Sequence, residues 1–254
     1  MITEENGVFH IRTETDSYLF KIDAYGLAEH LHFGAPVKTR DAGALSCRPG
    51  LGWGASILLD PKDTASCPDA LPLEWSGSGR GDYRESPLEL AGEPGDFRYT
   101  GYKIHEGGVS MACGLPQAHD ALETLEITLS QPGAELTLFY TAFPTAIVRR
   151  TVLTNTGDKP LRLNKLMSFC LDLPGSYTMA TFNGGWIAEM RRCDTPVGAS
   201  KVVNESLTGS SSNRHNPGFL LYEPGATENA GTVYGFNLIY SGNHYAAAQQ
   251  SLQG

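Results

Sequence analysis

Polar and apolar side chains alternate along much of the chain with a period of two. Thr124-Leu125-Glu126-Ile127-Thr128-Leu129 is a clear run, followed by Ala134 to Phe139, Val148-Arg149-Arg150-Thr151-Val152-Leu153 and Leu161-Arg162-Leu163-Asn164-Lys165-Leu166. A strand places successive side chains on opposite faces, so these runs predict strands with one row on a core and the other toward water. Turn-forming clusters separate them: Gln131-Pro132-Gly133, Asn155-Thr156-Gly157-Asp158-Lys159-Pro160, Leu173-Pro174-Gly175 and Glu223-Pro224-Gly225. Strand and turn alternate at roughly the 8 to 12 residue spacing of antiparallel sheets. Helical periodicity is weak throughout.

Antiparallel sheets with one apolar face each must bury those faces against one another, which makes an all-β, two-layer sandwich of many strands the economical architecture. A parallel α/β barrel is disfavoured, because no helix follows each strand. The 29 glycines and 15 prolines are spread along the chain rather than gathered in a linker, so a single domain over residues 1–254 is expected. The stretch from Cys47 to Pro116 is the least regular and reads as loops over the sheets, where binding residues usually sit.

Composition narrows the partners. The 19 basic and 28 acidic side chains give a net charge of −9, which argues against nucleic acid or an anionic membrane as partner. No apolar run approaches the ~18 residues of a membrane span, and the first twenty residues lack the basic and apolar regions of a signal peptide, so a cytoplasmic location is expected. Five cysteines, Cys47, Cys67, Cys113, Cys170 and Cys193, are scattered without a Cys-x-x-Cys pair and are expected to be reduced and mostly buried.

Candidate chemistry is sparse. His30 and His32 would share one side of a strand, as two metal ligands can, but no third histidine lies nearby in sequence, and neither a metal nor a cofactor is expected. Gly77-Ser78-Gly79-Arg80-Gly81 lacks the Gly-Lys-Ser/Thr ending of a phosphate cradle and reads as a loop needing positive φ. Ser210-Ser211-Ser212, near His215, lacks a nucleophile elbow and reads as a hydrogen-bonded turn. A glycosidase needs two carboxyl groups about 5 to 5.5 Å or 6.5 to 9.5 Å apart. Asp60, Asp63, Glu74, Asp82, Asp96 and Glu189 are available, with Arg84, Arg98 and Arg191 as potential ion-pair partners, and none stands out. Trp53, Trp75 and Trp186 each adjoin glycine or turn-rich sequence, where an indole can lie against a sugar ring; Trp186 is weighed toward packing and Trp53 toward exposure.

Specific strings add a resemblance. Leu71-Pro72-Leu73-Glu74-Trp75 with Gly79-Arg80-Gly81-Asp82-Tyr83-Arg84 resembles a paired segment of the bacterial α-galactosidases of glycoside hydrolase family 36. Gly114-Leu115-Pro116 with Glu123-Thr124-Leu125-Glu126-Ile127 and the stretch Thr181 to Glu189, containing Gly184-Gly185-Trp186, follow in the same order. So do Ser206 to Pro217 and Val233-Tyr234-Gly235-Phe236-Asn237-Leu238-Ile239-Tyr240-Ser241-Gly242-Asn243, the last being the most specific.

The resemblance implies an N-terminal antiparallel β-supersandwich, galactose-mutarotase-like in fold, that precedes a (β/α)8 catalytic barrel. It further implies that the chain stops at Gly254 before the last strands of that domain, and that both catalytic aspartates lie in the absent barrel. The chain alone is then expected to be inactive, as the non-catalytic part of a retaining enzyme that removes terminal α-linked galactose from melibiose- or raffinose-type sugars. Its implied partners are α-galactoside sugars, its own barrel and further copies of itself, in a tetramer. In the family a loop of this domain carrying aspartate or tryptophan closes over a neighbouring active site; between Cys47 and Asp69, Trp53 and Asp60 are the candidate substrate-binding residues. A free-standing carbohydrate-binding sandwich is the alternative, and a mutarotase-like epimerase would need a histidine such as His105 or His215 beside a carboxylate.

Overall fold

The computed structural model describes residues 1–46, 57–82, 84–111 and 114–251, with the Arg80 side chain left aside. Two compact units form: Met1–Ser110 with Ala118–Leu173, and Met111–Gln117 with Pro174–Gly254. Every strand pairing among the described residues is antiparallel, as the short turns between the alternating runs predict.

In the first unit β1 (Ile2–Glu5), β2 (Val8–Arg12), β3 (Ser17–Ile22) and β4 (Ala28–Gly34) form one sheet in chain order. A short β5 (Leu88–Leu90) pairs with β10 (Leu163–Leu166), and β6 (Arg98–Glu106), β7 (Glu123–Gln131), β8 (Ala134–Ala142) and β9 (Ile147–Asn155) form a second four-stranded sheet. Phe9, Ile11, Tyr18 and Phe20 of the first sheet meet Leu125, Ile127, Leu129, Leu136, Leu138 and Tyr140 of the second in one buried core. Register accounts for the second set: Leu125 opposes Tyr140, Ile127 opposes Leu138 and Leu129 opposes Leu136, so the apolar rows coincide on one face. Phe20 bridges the layers, stacked on Phe9 at 4.9 Å and on Tyr140 at 5.1 Å between centroids. Pro132 and Gly133 alone connect β7 to β8, with Gly133 at φ 79°, the left-handed conformation tight hairpins favour in glycine.

The strand β6 corrects the reading of Cys47–Pro116 as loops. Tyr99 and Tyr102, an odd number of residues apart, sit opposite the core residues Leu129 and Ile127, because the register shifts by one between Tyr99 and Gly101. The bulge returns both aromatics to one face, and Tyr102 meets Phe9 edge-on at 5.0 Å. In the glycine-rich loop a single turn of 3-10 helix spans Ser78–Arg80, and Gly81 has φ 83°. Gly79 answers a different demand: a Cβ there would lie 2.6 Å from the Gly95 carbonyl oxygen.

In the second unit β12 (Arg191–Pro196), β11 (Thr178–Asn183), β14 (His215–Tyr222) and β15 (Val233–Asn237) form a sheet in that order, and β13 (Val202–Ser206) pairs with β16 (His244–Ala248). Met179 and Ala180 are fully buried, and Phe219 stacks on Phe236 at 4.8 Å. Among the described cysteines Cys67 is buried, Cys170 half-buried and Cys193 exposed, all unbridged, so burial is less general than expected. No described helix is long and apolar enough to cross a membrane.

Candidate functional site

Glu74 occupies the centre of the first unit's sandwich, fully buried. Its carboxylate accepts hydrogen bonds from Tyr18 Oη at 2.7 Å, Tyr140 Oη at 2.8 Å, Arg149 Nη1 at 3.0 Å and His30 Nδ1 at 2.7 Å. Tyr140 and Arg149 oppose each other across β8 and β9, and the guanidinium carbon stands 3.8 Å from the Tyr140 ring centroid. The next pair in register, Phe139 and Arg150, repeats the cation–ring contact at 4.1 Å with alternate side-chain direction. Burial alone pushes the Glu74 carboxyl upward, but Arg149 and then the His30 and Tyr18 contacts outweigh it, holding the group ionised below the usual carboxylate range. Burial raises the Tyr18 and Tyr140 hydroxyls well above their usual value, which keeps them donors. A carboxylate so enclosed holds the layers together and meets no substrate.

The neighbouring motif does similar work. Asp82 is buried and receives Arg84 through Nε at 3.0 Å and Nη2 at 2.9 Å, while Arg84 Nη1 reaches Asp172 at 2.8 Å. Asp172 also accepts the Leu73 amide at 3.1 Å, tying the strings around Glu74 and Asp82 together. Asp96 pairs with Arg98 at 3.0 Å. Trp75 is buried at 6% exposure. Asp60 is half-exposed and uses Oδ1 to accept the Lys62 amide at 2.8 Å, whereas Trp53 lies outside the described residues. His32 binds the Ala35 carbonyl at 2.8 Å rather than joining His30. His105, in the first unit, spends its Nε2 on Glu126 at 2.8 Å.

In the second unit, Asn183 closes β11 opposite His215, with Asn183 Oδ1 3.0 Å from His215 Nδ1. Ser206 and His244 pair at the end of the β13–β16 ribbon; burial and then the nearby His215 hold His244 below the ordinary imidazole value. Asn204 is buried and donates to the Asn216 carbonyl at 2.8 Å. The expected serine turn forms, with Ser212 Oγ accepting the Arg214 amide at 3.2 Å.

A tight turn from Gly184 to Met190 joins β11 to β12. The Ala188 amide donates to the Gly185 carbonyl at 2.9 Å, the Ile187 amide to Glu189 Oε1 at 3.2 Å and the Gly184 amide to the Arg214 carbonyl at 3.3 Å. A Cβ on Gly184 would collide with the Ala188 carbonyl oxygen, so the turn closes only over glycine. Ile187 and Met190 have φ of 63° and 56°, a conformation costly for a β-branched residue. At the tip Trp186 is 89% and Ile187 83% exposed, which corrects the packing role weighed for Trp186. Beside them lies an open depression of about 260 Å³ lined by Gly185, Trp186, Glu189, Ser212, Asn213 and Arg214. Ile187→Gly is expected to raise stability by up to ~1 kcal/mol, since it relieves the backbone and loses almost no packing; urea unfolding that shows a loss instead would contradict the strain.

The strings that form these two clusters belong to a longer pattern. Residues 26–254 match the family model described as the glycosyl hydrolase family 36 N-terminal domain. The chain belongs to glycosyl hydrolase family 36. Among relatives of the family, α-galactosidase AgaA of Geobacillus stearothermophilus is 32% identical over 94% of this chain and 34% of its own length. The bifunctional α-galactosidase/sucrose kinase AgaSK of Mediterraneibacter gnavus is 30% identical over 96% of this chain and 27% of its own. A solved family 36 structure, an AgaA variant in complex with raffinose, superposes with a TM-score of 0.90 at 31% identity, over 97% of this chain and 36% of that one. The all-β, galactosidase-like supersandwich is therefore the fold, and the chain spans about a quarter to a third of the length of the curated relatives it matches. Within the family 36 motifs, Glu74, Asp82 and Arg84 are pins of the first unit, while Trp186 is a display residue of the second.

Proposed function

We propose that this chain is the non-catalytic N-terminal part of an α-galactosidase that releases terminal α-linked galactose from melibiose- or raffinose-type sugars by a retaining mechanism. The match over residues 26–254 carries the reading, and solved relatives in complex with raffinose and stachyose support the substrate class. The motif carboxylates agree with a supporting role, since Glu74 and Asp82 are buried and held by arginines rather than set in a pair facing a sugar. In this reading the domain supports a following barrel and contributes to subunit contacts in a tetramer. Trp53 and Asp60 serve the active-site rim; Asp60 keeps Oδ2 unpartnered among the described residues. Free cysteines among the described residues suit a reducing, cytoplasmic setting.

The test is the native gene product from its source cells. A mass well above 27.4 kDa, with galactose released from melibiose by that product and none by the 254-residue chain, is the expected result. A native product of 27.4 kDa, or hydrolysis by the chain alone, overturns the reading.

A further inference from the structure

The geometry points to the depression beside the Gly184–Met190 turn as a binding site for one neutral hexopyranose ring, with Trp186 as the stacking surface and Glu189, Asn213 and Arg214 as hydrogen-bonding groups. The turn keeps an unfavourable Ile187 conformation and an obligatory Gly184 while holding an indole 89% exposed. Backbone strain that persists in this way marks a function, and here it presents an aromatic plane beside polar groups.

The lining fits the chemistry of a sugar. A galactopyranose ring carries C–H groups at C3, C4 and C5 on one face, suited to an aromatic surface, and hydroxyls around its rim that both donate and accept. Asn213 offers both kinds of partner, Glu189 an acceptor and Arg214 a planar array of donors. These groups keep free hydrogen-bonding capacity: the Arg214 guanidinium makes no ion pair among the described residues, and Glu189 spends only Oε1, on the Ile187 amide. One carboxylate and one guanidinium give the lining no net charge, which favours a neutral ligand over an ion. At about 260 Å³ the space suits a single ring, below the ~300–1,000 Å³ of clefts for larger ligands. The choice of galactose over other hexoses rests on the α-galactosidase reading; the site itself does not.

The test is a titration of the 254-residue chain with methyl α-galactopyranoside and, separately, methyl α-glucopyranoside, followed by the backbone amide NMR signals of Asn213 and Arg214 and, in the parent, also by the Trp186 indole N–H. A saturable shift with the galactoside is expected, weakened about tenfold or more by Trp186→Ala and about threefold by Arg214→Ala, with circular dichroism unchanged. Equal affinity for both glycosides that still depends on Trp186 upholds the site and counts against the galactosidase reading. No saturable shift, or binding untouched by both substitutions, overturns the site. A Trp186→Ala chain that sediments more slowly than the parent while sugars have no effect also overturns it, in favour of a contact between copies.

Discussion

Glu74→Gln is expected to cost about 3–5 kcal/mol of folding stability, because it leaves the Arg149 guanidinium in the sandwich core without its counter-charge. Arg149→Met should cost a similar amount for the mirror-image reason. The double variant is expected to recover much of the loss, since removing both charges removes the desolvation that each imposes on the other. Urea unfolding of the parent and the three variants checks this, and a Glu74→Gln cost below about 1 kcal/mol would contradict the burial of the pair. Two buried groups set a pH dependence: Glu74, and His10 of β2, whose ring lies against the Thr39 and Ser17 hydroxyls at 2.9 and 3.0 Å. His10 is held down to about 4, chiefly by burial and then by Arg12, so protons taken up on unfolding erode stability as the pH falls from about 6.5 toward 4. Glu74 lies below its unfolded value, so its contribution is complete above about 4.3 and is lost as the pH drops further toward the folded value. In Arg149→Met burial acts on Glu74 without the guanidinium to oppose it, and the acid loss should begin at higher pH.

Phe20→Ala should cost about 3–5 kcal/mol as well, here through a cavity between the layers. Phe20 is fully buried and stacks on both Phe9 and Tyr140, and the rigid sheets on either side limit collapse of the space. Roughly 2–4 °C of melting temperature per kcal/mol in a chain of this size makes the loss readable by calorimetry. Trp186→Ala, at the exposed tip of its turn, should stay within about 0.5 kcal/mol of the parent. A Phe20→Ala chain that melts with the parent would show that the two sheets do not share one core.

The runs on β7 and β8 are legible because each turns one uninterrupted row to the core, Leu125, Ile127 and Leu129 on β7 and Leu136, Leu138 and Tyr140 on β8, whereas β9 and β10 leave Val152 and Leu163 exposed and turn Arg149 inward. The strand β6 was hidden by its bulge, which puts Tyr99 and Tyr102 on one face at an odd spacing that no strict period detects. The Glu74 network was legible only in part. Glu74 was among the candidate carboxylates, but its partner lies 75 residues away, beyond local pattern. A signal did exist: Arg149 and Arg150 are consecutive in a strand, so one of them must point inward and require a buried acid. The glycines beside Trp186 mark a turn without showing which way its side chains face; the closure over Gly184 leaves the indole 89% exposed.

The path of the chain through its two units sets an order in time. Met111–Gln117 belongs with Pro174–Gly254, yet Ala118–Leu173 of the first unit intervenes. A ribosome that delivers about 5–20 residues per second therefore releases the whole first unit while the second holds only seven of its residues. From then the roughly 80 residues that follow Leu173 take about 4–16 s more to make. The Glu74 core can close while the sheet that carries Trp186 is still to be made.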